Sequence, residues 1–71
     1  MPFKMFQNVI YAGPPDFAPG LAKGEIGTVL EVYKDGAYEV EFINDDGSTK
    51  ILQGFPESYL QPDPGGYGGS A

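Results

Sequence analysis

Short runs of β-branched and aromatic residues, each cut off by Gly, Pro, Asp or Asn, recur along the chain from residue 5 to residue 61. No stretch of ten residues keeps the 3.6-residue period of an amphipathic helix free of Gly and Pro. The pattern therefore predicts strands over residues 5–12, 26–33, 37–43 and 48–53, with a short closing strand over 59–61. Between the first two lies a turn-rich connection, residues 13–24. Its three prolines, Pro14, Pro15 and Pro19, oppose a hydrogen-bonded ladder, so it reads as a stiff excursion. The segment Phe55-Pro56-Glu57-Ser58-Tyr59-Leu60 suits a single tight turn of 3₁₀ type.

Face consistency fixes the central hairpin, because slipping a strand by one residue turns every side chain over. Lys34-Asp35-Gly36 makes a three-residue loop in which Gly36 supplies the left-handed conformation. That loop sets Tyr33 opposite Ala37, Val32 opposite Tyr38, Glu31 opposite Glu39, Leu30 opposite Val40 and Thr28 opposite Phe42. Thr28, Leu30, Val32, Tyr38, Val40 and Phe42 then share an inner face. Val29, Glu31, Tyr33, Glu39 and Glu41 share the outer one. The following turn, Asn44-Asp45-Asp46-Gly47, reads as a four-residue loop that pairs Ile43 with Ser48, Glu41 with Lys50 and Val40 with Ile51, and a two-residue loop at Asp46-Gly47 keeps the same faces.

One strand, a long Pro/Gly-rich loop, three meandering strands, a 3₁₀ turn and a short closing strand is the layout of a five-stranded SH3-like barrel. Residues 23–42 carry a more specific likeness. Gly27-Thr28-Val29, Glu31-Val32-Tyr33, Asp35-Gly36, Tyr38 and Val40-Glu41-Phe42 follow the pattern G-T-V-x-E-V-Y-x-D-G-x-Y-x-V-E-F. This resembles an uncharacterised family of small bacterial SH3-like proteins, and the likeness extends over residues 8–62, ending at Tyr59-Leu60-Gln61-Pro62. The resemblance implies the barrel and no activity. Weaker likenesses, through Gly27-Thr28-Val29, run to SH3-like accessory subunits of photosynthetic complexes and to the barrel of nitrile hydratase β subunits. In both, the barrel is a small subunit of an assembly. The chain divides accordingly into an N-terminal extension (1–4), the barrel (5–62) and a Gly-rich tail (63–71).

Composition narrows the function. With 71 residues the chain makes one domain whose core is marginal alone, and such domains draw stability from disulfides, metals or association. There is no Cys for a disulfide or thiolate site and no His for imidazole ligation or general-base work. Association is what remains. Ten acidic residues against four Lys and no Arg give a net charge of −6. That field repels nucleic-acid phosphates and anionic membranes and favours a basic protein surface. No apolar run reaches the roughly 20 residues of a membrane span. Residues 1–6 lack the apolar core of a signal peptide, and the expected location is the cytoplasm.

Glu31, Glu39 and Glu41 on one strand face form the most unusual feature, since directly opposed carboxylates repel. They read either as a docking stripe for a basic partner, joined by Tyr33, or as a solvated face that suppresses aggregation. A divalent-cation site with oxygen ligands is the third reading. Phe17, in the long loop, is a further candidate for partner contact, whereas Phe55 reads as a plug in the end of the barrel. Asn44-Asp45-Asp46-Gly47 lacks the ligand spacing of a calcium loop and is a turn. Ser48, Ser58 and Ser70 have no base to activate them, and no phosphate-cradling loop precedes a helix. The expectation is a protein-binding or scaffolding module, self-associating and without catalysis or cofactor. Its rival is a small enzyme, or a metal- or ligand-binding subunit, with an acidic site formed between subunits. Tyr67 in the Gly-rich tail, with Phe3 and Phe6 at the other end, are the expected oligomer contacts.

Overall fold

In the computed structural model, which describes residues 3–67 with the side chains of 66 and 67 set aside, five antiparallel strands form one sheet. They are β1 (Gln7–Tyr11), β2 (Ile26–Val32), β3 (Ala37–Ile43), β4 (Thr49–Pro56) and β5 (Leu60–Tyr67). A 3₁₀ turn over Glu57–Tyr59 separates the last two, and the spatial order is β4-β3-β2-β1-β5. No helix among the described residues is long and apolar enough to cross a membrane.

Both β2–β3 and β3–β4 are joined by three-residue loops that end in a left-handed glycine, Gly36 and Gly47, each at φ 90°. The Tyr33 amide donates to the Ala37 carbonyl (2.9 Å) and the Asn44 amide to the Ser48 carbonyl (2.8 Å). A glycine tolerates this geometry without the Cβ clash that other residues suffer.

The first hairpin begins in the expected register, with Val32 opposite Tyr38 and Glu31 opposite Glu39, and then departs from it. Val29 pairs with Val40 and Thr28 with Glu41, leaving Leu30 as an extra residue. This bulge reverses the facing of the first half of β2. Val29, expected outside, is fully buried, while Thr28 shares a face with Glu41 and Val32 is exposed. The second hairpin also departs from its expected pairing. Phe42 lies opposite Ile51, Glu41 opposite Leu52 and Ile43 opposite Thr49, so Lys50 is the extra residue there. Displaced from Glu41, Lys50 pairs instead with both carboxylate oxygens of Glu25, at 3.0 Å each.

The core is built around aromatic rings. Tyr11, Phe42 and Phe55 are fully buried and meet edge to face, with centroids 5.4–6.4 Å apart. Val9, Val29, Tyr38 and Val40 complete it. Residues 12–25 contribute Ala18 and Leu21, and the loop is closed at its base by the Gly24 amide on the Tyr11 carbonyl (2.9 Å). The Tyr11 hydroxyl donates to the Pro14 carbonyl, and burial raises the pKa of that phenol. The Ala12 amide ties the loop to the 3₁₀ turn through the Tyr59 carbonyl (2.8 Å).

Two features of the chain ends bear on the expected contacts there. Phe3, expected at an oligomer contact, is buried in its own core. Its ring meets Tyr38 at 5.2 Å, and its amide donates to the Tyr38 hydroxyl (3.1 Å). β5 continues past Pro62 into the Gly-rich segment and brings Tyr67 opposite Gln7. The Tyr67 side chain and residues 68–71, on which a tail contact would depend, lie outside the described residues.

Candidate functional site

The alternation of β3 drives Tyr38, Val40 and Phe42 inward and leaves Glu39, Glu41 and Ile43 on the outer face. Rows across the three-stranded half of the sheet follow from the register. Glu31, Glu39 and Gly54 form one row, and Thr28, Glu41 and Leu52 the next. Ile26 and Ile43 carry the same alternation to the far end. Ile26, Ile43 and Leu52 are each at least half exposed. The outer face of β2, β3 and β4 thus has an acidic end and an aliphatic end, with Glu41 between them.

Tyr33 caps the acidic end. Its hydroxyl donates to Glu39, and its ring passes over Gly54, where an added Cβ would sit 3.8 Å from Cε2. The absence of a side chain at position 54 is what lets the ring lie there. The hydrogen bond to Glu39 is the main cause of a raised Tyr33 pKa. Partial burial and the charges of Glu39, Glu31 and Asp35 add to it. A phenol in this position stays protonated and holds the Glu39 carboxylate by a charge-assisted bond. Glu41 is held in turn by the Thr49 hydroxyl, which donates to it at 2.7 Å. Two of the three carboxylates are therefore oriented by neighbours on the same face. Glu31 faces Glu39 directly, a juxtaposition that costs up to about 1 kcal/mol in a strand pair.

Phe17 lies elsewhere. Its ring packs edge-on against Tyr59 (4.9 Å) and against Phe55 (5.5 Å), which leaves it 37% exposed. It belongs to the plug at the loop end of the core and does not join the acidic face. Phe6 is the opposite case: the side chain is 59% exposed, and the backbone has a positive φ of 68°. Such a conformation is unfavourable for a bulky residue, and here the Phe6 amide is pinned to the Val29 carbonyl at 2.6 Å. Among the described residues, no three acidic side chains converge as the ligands of a metal ion.

The aliphatic end was not singled out from the sequence. Leu52 was missed because a two-residue difference in the register of β4 separates it from Glu41. Ile26 was missed because only the bulge at Leu30 turns the first half of β2 outward. Alternation was an available signal for Leu52 and Ile43, which follow inward Ile51 and Phe42, whereas for Ile26 it is legible only with the bulge known.

Residues 16–62 match the model of a family described as a domain of unknown function, DUF4926. No curated protein and no solved structure matches the chain.

Proposed function

The chain belongs to the DUF4926 family of domains of unknown function, and from that premise we propose that it is a cytoplasmic protein-binding module with an SH3-like barrel form and no catalytic activity. The strand order β4-β3-β2-β1-β5, with a 3₁₀ turn between β4 and β5, supports the barrel reading. The observation that carries the binding reading is the outer face of β2, β3 and β4. Three carboxylates and Tyr33 adjoin three half-exposed aliphatic side chains on one sheet surface. A surface that was only solvated would gain nothing from exposed Ile and Leu beside the charges. Apolar area for affinity and fixed charge for orientation is the composition of a docking patch. Its partner is a protein surface with basic residues around an apolar centre.

Self-association is the second property of the module, and Phe6 supports it. A bulky ring held outward by a costly backbone conformation is a feature that contact with another copy would use.

A photocrosslinking residue placed at position 33 in the native host tests the docking face, with Asp16 in the long loop as the control position. A discrete adduct from position 33, absent from position 16 and lost at high salt, is the expected result. Equal labelling from both positions would remove the outer face as the docking surface.

A further inference from the structure

The two edges of the sheet differ in a way that bears on how a partner is held. β5 carries Pro62 and Pro64, which have no amide to donate, together with Asp63, so it is a poor template for another strand. β4 is the other edge. Among the described residues it pairs only with β3, and its sequence Thr49-Lys50-Ile51-Leu52-Gln53-Gly54-Phe55-Pro56 holds proline only at its end. It also holds no acidic residue, in a chain with ten, and its one charge, Lys50, is paired with Glu25. Lys50 and its bulge interrupt the start of this edge and Pro56 ends it, which leaves residues 51–55 as a run with no charge and no proline and with a strand neighbour on one side only among the described residues.

Charge decides what would pair with it. We propose that β4 receives an extended segment of a partner protein by strand addition, and that the segment carries Lys or Arg at positions facing the outer side of the sheet. This rests on the docking reading above and specifies its mode. A strand added to β4 extends the row Glu31, Glu39, Gly54 by one position. Its backbone then lies two strand spacings, roughly 10 Å, from that of Glu39. Gly54 puts no side chain in the way. A basic side chain at that position extends over Gly54 towards the exposed ring of Tyr33, a cation–π surface, and towards Glu39 beyond it. The neighbouring row brings an apolar residue of the same segment beside Leu52. A second copy of this chain fits less well, because each copy brings a net charge of −6 and only four Lys.

The test uses the full chain, isotopically labelled, and a synthetic eight-residue peptide whose outer-facing positions carry Lys and Val in turn, with Thr between them. Three controls accompany it: a Glu-for-Lys version, a version N-methylated on alternate amides, and the free protein at increasing concentration. The expected result is a set of saturable amide shifts over residues 49–56 with the basic peptide. They are absent with the acidic one and at least roughly tenfold weaker on N-methylation, as the loss of two or three backbone hydrogen bonds requires. Shifts at Glu31, Tyr33 and Glu39 without shifts in β4, or binding indifferent to N-methylation, would overturn strand addition and leave the docking face standing. No shifts on either surface would overturn both. Shifts in β4 that grow with protein concentration alone would assign the edge to a second copy and overturn the basic partner.

Discussion

Tyr33 and Glu31 show how single side chains on the outer face answer to charge. The Tyr33 phenol keeps its proton because ionising it would break the hydrogen bond to Glu39 and set a second negative charge among Glu39, Glu31 and Asp35. Its pKa in the folded protein stands above the ordinary value of 10.0. The stabilisation linked to it is therefore complete below that value and is lost as the pH rises through the folded pKa. Absorbance titration of the tyrosines should show a late component that moves down in Glu39→Gln, where the neutral amide no longer repels the phenolate. A late component unmoved by that change would assign it to buried Tyr11 alone. Glu31 has the opposite character: it stands against Glu39 at a cost, so a residue chosen for stability would not be Glu.

Strands and their irregularities explain most of what the sequence revealed and what it hid. Strand positions were legible, since β-branched and aromatic runs between Gly and Asp turns leave little choice, and β3 occupies the expected residues. The loop at Lys34-Asp35-Gly36 was legible too, because Gly36 must take a positive φ and only one loop length kept Val32 and Glu39 on separate faces. The two bulges were hidden. Leu30 and Lys50 are ordinary strand residues, and nothing in the local alternation marks either as the extra position of a bulge. The length of β5 was hidden for a related reason, since Pro and Gly forecast an irregular tail and an edge strand tolerates both.

Two strand glycines are unequal because they face opposite sides of the sheet. A Cβ on Gly27 would lie 2.8 Å from Phe42 and from Val40, inside the core, whereas one on Gly54 would make an ordinary contact with Tyr33. Chemical denaturation should show Gly27→Ala destabilised by about 1–3 kcal/mol through overpacking. Gly54→Ala should instead gain about 0.4–1 kcal/mol from a stiffer unfolded chain. Equal effects at the two sites would contradict the tight packing of β2 on β3.

On the scale of the whole molecule, the described residues supply one core of Tyr11, Phe42, Phe55 and their neighbours, and a sequence without Cys has no disulfide to reinforce it. Such a domain retains little stability to spare, so the proposed association would serve stability as well as function. Phe6 is the side chain to test. Light scattering during size-exclusion chromatography should find the full chain larger than a monomer at micromolar concentration and Phe6→Ser monomeric. A monomeric wild type would remove self-association from the account. Partner docking is independent of that outcome, because Phe6 belongs to the turn that leads into β1 and the docking face to β2, β3 and β4.

The most direct test of that docking is the affinity of Glu31→Lys for the protein captured at position 33. Replacing one of two opposed carboxylates by a cation turns a repulsive cross-strand pair into an attractive one, which should raise stability by roughly 0.2–1 kcal/mol or more. The same change puts a positive charge where a basic partner binds. Binding should therefore weaken at least about tenfold while the fold becomes more stable, as charge reversal at an interface predicts. Unchanged affinity in a stabilised Glu31→Lys would mean that the carboxylates are only solvated and that charge does not hold the partner on this face.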